Sequence, residues 1–154
     1  MQQRGHEIAA KIAIVPCKWH PLTAMENAAR DGYCHDADTV VMSVKCTGLV
    51  KVSYLLKLFA KGFEGVLVLG CPEGDCHYYN GSQRCGEIIE ETREILEIAG
   101  VPGRRLGFHL ISESRGKEFR RVLDGFIRQL KGSGKRVSKK QTKRRGRVAS
   151  VSHR

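Results

Sequence analysis

The sequence predicts an α/β domain: a small four-stranded parallel sheet with helices on both faces. Three observations predict it. Strand-like and helix-like segments alternate through residues 11–130. The clearest strand, GVLVLG at Gly65–Gly70, is apolar at successive positions, as a parallel strand covered on both faces must be. A chain of 154 residues is also long enough to bury one core without covalent staples.

The elements follow in order. Lys11–Pro16 (KIAIVP) is short, apolar and β-branched, so it reads as a buried strand. Pro21–Arg30 (PLTAMENAAR) has Pro in a first-turn position and good helix formers after it. Thr39–Lys45 (TVVMSVK) reads as a second strand. Lys51–Lys61 (KVSYLLKLFAK) is a second helix, with Leu55, Leu56, Leu58 and Phe59 apolar and Gly62 just past its end. After the Gly65–Gly70 strand comes a helix over Gly86–Ala99, with Ile88, Ile89, Ile95, Leu96 and Ala99 on one broad face. Gly100 and Pro102 stop it. Leu106–Ile111 (LGFHLI) is a fourth strand. The last helix, Gly116–Leu130, carries Phe119, Val122, Leu123, Phe126, Ile127 and Leu130 on its apolar side. Strand–helix alternation of this kind gives a doubly wound sheet, flavodoxin-like in its general scheme.

Charge divides the chain in two. The formal net charge is +11, yet residues 1–130 hold seventeen Lys and Arg against sixteen Asp and Glu. Residues 131–154 hold ten Lys and Arg and no acid. Residues 1–131 are therefore expected to form the folded domain, and 132–154 a disordered basic tail. Such a tail attracts polyanions in a salt-dependent way. It has no aromatic interleaving for stacking on bases, so a solvated or partner-docking extension is preferred to a nucleic-acid reader. No apolar run approaches the roughly 20 residues that span a bilayer. The first ten residues lack an apolar core followed by a small-residue cleavage site, so the cytoplasm is the expected compartment.

Six cysteines in a reducing compartment point to metal ligation or redox chemistry rather than structural disulfides. Cys17, Cys46 and Cys71 each follow a predicted strand, so all three stand at the carboxyl edge of the sheet. Neighbouring strands lie about 4.8 Å apart, which lets such side chains converge. That edge is also where open α/β sheets bind ligands. Cys76 sits in the Pro- and Gly-containing loop GCPEGDC and can supply a fourth thiolate. Four thiolates suit tetrahedral zinc or an iron–sulfur cluster. His20, His77 and Cys85 are further candidates, as alternative ligands or as groups that support the ligands. Cys85 is expected near a helix start, where the dipole would favour a thiolate, and a plain buried cysteine is an equally good reading of it. Cys34 and His35 fall at the opposite edge of the sheet. Trp19, Tyr78 and Tyr79 can shield a centre from water. Ser112, Glu113 and Ser114 follow the fourth strand and can face the same edge. No catalytic acid–base pair or nucleophile triad stands out, and GCPEGDC lacks the Lys-Ser/Thr ending of a phosphate loop.

VKCTG at Val44–Gly48, GVLVLGCPEGDCHYYNGSQR at Gly65–Arg84 and LGFHLISESRGKEF at Leu106–Phe119 resemble the delta subunit of methyl-viologen-reducing hydrogenase. The resemblance covers roughly residues 10–130. It implies a non-catalytic 2Fe–2S subunit. Such a subunit passes electrons between a hydrogenase, or another dehydrogenase, and a heterodisulfide-reductase-like flavoprotein. Carried over by position, the family's cysteines fall on Cys17, Cys46, Cys71 and Cys76, and one further cysteine falls on His20. Since four thiolates complete a 2Fe–2S site, the substitution at His20 is expected to leave the cluster intact. Structural zinc is the alternative that the residues themselves leave open.

Overall fold

The structure is a computed structural model that describes residues 10–35 and 38–137, with side chains as far as residue 132. Strand β1 (Lys11–Pro16), helix α1 (His20–Arg30), β2 (Asp38–Val41) and α2 (Val52–Ala60) form the first half. Then follow β3 (Gly65–Gly70), α3 (Gly81–Ile98), β4 (Leu106–Leu110) and α4 (Gly116–Val137). The sheet is all parallel, in the order β2-β1-β3-β4. This is the predicted fold class, and the arrangement is flavodoxin-like.

Alternation along the strands makes two cores. Ile12, Ile14, Leu67 and Leu69 point to the face covered by α1 and α4, among Ala24, Ala28, Leu123 and Phe126. Ala13, Val15, Val66 and Val68 point to the other face, against Leu55, Leu58, Ile89 and Leu96 of α2 and α3. β1 and β3 are buried on both sides, which is why their sequences are continuously apolar.

β2 is shorter than the predicted Thr39–Lys45, and Pro16 explains the difference. Met42 N–H donates to Ile14 O, and Val44 N–H donates to Pro16 O. Between these two bonds the ladder needs an N–H from residue 16, which proline lacks. Pairing resumes beyond it as an isolated bridge between Cys17 and Val44. The start of α3 lies five residues before the expected Gly86, at Gly81. α4 continues past the expected end at Leu130, to Val137. Residues 138–154 of the predicted basic tail lie outside the described residues. Among the described residues, no helix is long and apolar enough to cross a membrane.

The chain leaves β1 in one direction through α1 to β2, and the sheet then grows on the other side of β1 with β3. The carboxyl ends of β1 and β3 therefore flank the topological switch point, the place where open α/β sheets bind ligands.

Candidate metal centre

Cys17 and Cys71 are the residues that follow β1 and β3, so they flank that switch point. Both are 1% exposed. The Cys17 N–H donates to Leu69 O at 2.9 Å, which fixes its backbone to the neighbouring strand. The Cys71 thiol donates to Cys17 Sγ at 3.4 Å. The Ser82 hydroxyl, in the first turn of α3, donates to Cys71 O at 2.7 Å and ties that helix to the site.

Cys46 comes from the loop after β2, at the start of a short 3-10 turn, Thr47–Leu49. The Gly48 N–H donates to its sulfur at 3.4 Å. Cys76 is carried by the loop between β3 and α3. That loop turns at Gly74 (φ 82°) and Tyr79 (φ 74°), the latter being the one left-handed non-glycine among the described residues. Cys46 Sγ and Cys76 Sγ are 4.0 Å apart.

Two glycines that sequence reasoning missed shape the site. A Cβ on Gly81 would collide with Cys46 Sγ and stand 3.0 Å from Cys76 Sγ. A Cβ on Gly48 would stand 2.7 Å from Gly81 Cα. The turn after Cys46 and the start of α3 thus meet backbone to backbone, and the second sulfur pair lies against that contact. The available signal was Gly48 and Gly81 themselves, each within five residues of a candidate cysteine.

The electrostatics are uneven. Cys17 is drawn down to about 6, first by the hydrogen bond from Cys71. Burial opposes this, and backbone N–H groups of Trp19 and Thr47 assist it. Cys71 is pushed up correspondingly, because it donates to Cys17 and is buried, although the His20 N–H points at its sulfur. Cys46 is raised mainly by burial. The Cys17 thiol itself faces Lys45 O at 3.7 Å, and a bound cation would displace the thiol protons.

The remaining candidates separate. Cys85 lies a full turn inside α3 and is fully buried, and burial pushes its thiol up to about 12. Of the two readings the sequence leaves open for Cys85, a thiol at the helix start and a plain buried residue, the burial matches the second. Thr47 hydrogen-bonds it, and the charges of Cys46 and Cys17 reach it. His20 opens α1, and its ring Nδ1 stands 3.8 Å from the Glu113 carboxylate. Glu113 therefore does face this edge. The exposed His77 stacks on Trp19, with ring centroids 4.0 Å apart, and meets Tyr78 edge-on. Cys34 is exposed, and His35 Nε2 is 3.3 Å from Thr39 Oγ1, at the far edge of the sheet.

The candidate donors are thus four thiols, with Cys17 close to Cys71 and Cys46 close to Cys76. Among the described residues, no group of three or more His, Cys, Asp or Glu side chains is gathered closely enough to hold one metal ion. Four soft sulfurs, backbone N–H donors aimed at them and a cradle that any Cβ would fill are what a thiolate-bound centre requires.

Four thiols on the carboxyl side of an all-parallel, doubly wound α/β sheet lie on the side where proteins of that class bind their ligands. The chain belongs to the family of the methyl-viologen-reducing hydrogenase delta subunit, whose sequence profile matches residues 12–134. It is 30% identical over 129 residues to the iron-sulfur subunit of the F420-non-reducing hydrogenase of Archaeoglobus profundus, covering 82% of this chain and 94% of that one. It is 26% identical over 132 residues to the iron-sulfur subunit of the vhc F420-non-reducing hydrogenase of Methanococcus voltae, covering 86% and 92%. A third relative is one of the subunits of the ferredoxin/F420H2-dependent CoB-CoM heterodisulfide reductase of Methanosarcina acetivorans, 24% identical over 118 residues. That match takes in 77% of this chain and only 15% of the larger protein.

Proposed function

We propose that the chain is an electron-transfer subunit carrying a 2Fe–2S cluster on Cys17, Cys46, Cys71 and Cys76. It passes electrons between a hydrogenase, or another dehydrogenase, and a heterodisulfide-reductase-like flavoprotein, in the cytoplasm. The cluster supplies one-electron chemistry. The residues of this chain hold it, exclude water from one side and set its potential through N–H groups on sulfur.

One observation carries this reading: the sulfurs form two pairs, 3.4 Å and 4.0 Å apart. A tetrahedral centre with metal–sulfur bonds of about 2.3 Å places its sulfurs about 3.8 Å from one another. Each pair matches one edge of such a tetrahedron. A single zinc ion needs all four sulfurs mutually at that spacing, whereas two irons need two pairs. Two such edges, one per pair, are what the two irons of a binuclear cluster would take up. The iron-sulfur names of the two hydrogenase relatives support an iron–sulfur cofactor over zinc, and the heterodisulfide reductase name of the third supports that kind of partner.

The test is anaerobic purification with metal, sulfide and spectroscopic analysis. The expected result is about two irons and two sulfides per chain, a visible charge-transfer band, and a half-spin resonance after one-electron reduction. A colourless protein that holds only zinc after anaerobic cluster reconstitution would overturn the reading. Reduced protein is further expected to reduce the flavin of a heterodisulfide-reductase-like partner.

A further inference from the structure

We infer that the two irons are bound unequally: Cys17 and Cys71 hold an inner iron, Cys46 and Cys76 an outer one, and electrons cross at the outer side. This rests on the 2Fe–2S reading and adds the pairing, the orientation and the side of exchange.

The pairing follows from distance. Cys71 is 3.4 Å from Cys17, and Cys76 is 4.0 Å from Cys46, both near the spacing of two ligands on one tetrahedral iron. The two pairs differ in their supports. The inner sulfurs hang from adjacent central strands, both 1% exposed, and receive N–H groups from Trp19, Thr47 and His20. The outer sulfurs come from two loops held together by the Gly48–Gly81 contact. Cys76 is only partly buried.

Orientation follows from the surface. A cleft of about 320 Å³ opens beside Cys46, lined among others by Lys45, Leu49, Tyr78 and Arg84. Another, of about 390 Å³, opens beside Cys76 and Tyr79. Leu49 is 66% exposed and Tyr79 91%. Electron tunnelling weakens steeply with distance, so exchange occurs where sulfur lies nearest the surface. Lys45 and Arg84 beside Cys46 suit an acceptor that carries negative charge at its contact edge.

The pairing is tested first on iron-free protein. Diamide accepts two electrons and two protons from each thiol pair and leaves a disulfide. After alkylation of the remaining thiols, peptide mapping is expected to find Cys17–Cys71 and Cys46–Cys76. Cross-pairs, or no disulfide at either pair, overturn the assignment whether or not the chain binds iron. In reconstituted protein carrying ⁵⁷Fe, Cys17→Ser and Cys71→Ser are expected to shift one Mössbauer doublet, and Cys46→Ser and Cys76→Ser the other. Shifts that group differently overturn it while leaving the cluster itself established.

The side of exchange is tested by stopped-flow oxidation of the reduced cluster with ferricyanide, which takes one electron to become ferrocyanide. The double variant Lys45→Glu/Arg84→Glu is expected to slow this about tenfold at low salt. Lys57→Glu/Lys61→Glu, near the opposite edge of the sheet, makes the same charge change and is expected to leave the rate within about twofold. Equal slowing in both variants, or none in the first, overturns the proposed side.

Discussion

Cys34-His35 and Cys76-His77 are the same two-residue word at opposite edges of one sheet. Cys34 lies between α1 and the amino end of β2, exposed, and its neighbouring histidine bonds Thr39 four residues away. Cys76 lies between the carboxyl end of β3 and α3, with another cysteine sulfur 4.0 Å away. The difference is one of connection. Strand-to-helix loops of a parallel sheet all gather at one edge, and helix-to-strand loops gather at the other. Residue type nominates a ligand, and the direction of the chain decides whether it meets others.

The largest effect should come from breaking this comparison outright. Alanine at Cys17, Cys46, Cys71 or Cys76 is expected to abolish cluster incorporation, read as iron per chain after anaerobic reconstitution. Cys34→Ala should leave iron content unchanged. Iron loss from Cys34→Ala, or full iron in any of the four, would remove the contrast between the edges.

Gly81→Ala comes next. Helix propensity alone favours alanine by about 1 kcal/mol. The new methyl, however, would collide with Cys46 Sγ and crowd Cys76 Sγ. Steric conflict in a packed site outweighs propensity, so iron content should fall severalfold while the helical circular dichroism remains. Raised or unchanged iron would show that the glycine contact is not part of the site.

Acidity gives a third measurement, on iron-free protein. Cys17 titrates at about 6 in the fold, below its ordinary 9. The unfolded chain therefore binds more protons between those values, and this group's contribution to stability grows as pH rises from 6 to 9. It is lost as pH falls through 6. The Tm of the wild type relative to Cys17→Ser should follow that course. Above pH 9, Cys85 works in the opposite sense, because burial holds it protonated up to about 12. A flat difference between pH 6 and 9 would contradict the Cys71–Cys17 hydrogen bond.

The smallest effect belongs to the remote edge. The Tyr33 hydroxyl donates to Asp124 at 2.7 Å, linking the end of α1 to α4. Tyr33→Phe should lower stability by about 1 kcal/mol in urea unfolding. Iron content should be unaffected. A change in the cluster spectrum would mean that the two edges are coupled.

Much of this was legible early, for identifiable reasons. Gly65–Gly70 and Lys11–Pro16 were read to the residue, because strands covered on both faces leave no polar position to confuse the pattern. β2 was read too long, because its apolar run continues past the place where its partner strand has a proline instead of a donor. The start of α3 was missed because Gly81 is a weak helix former. It stands there for its close approach to Cys46. The choice between the two readings of Cys85 turns on the same point. With the helix starting at Gly81, the thiol moves from the dipole's end into the core.

Periodicity and chain order are local properties, so the α/β class and the order of its elements are already present in the sequence. That Cys17 lies against Cys71, and Cys46 near Cys76, emerges only once the chain is folded. So do the room that glycines 48 and 81 make for the second pair and the burial of Cys85 as a neutral thiol. Those facts depend on which strands are neighbours and how closely two backbones approach, and both are set by packing across the whole domain rather than by any one segment.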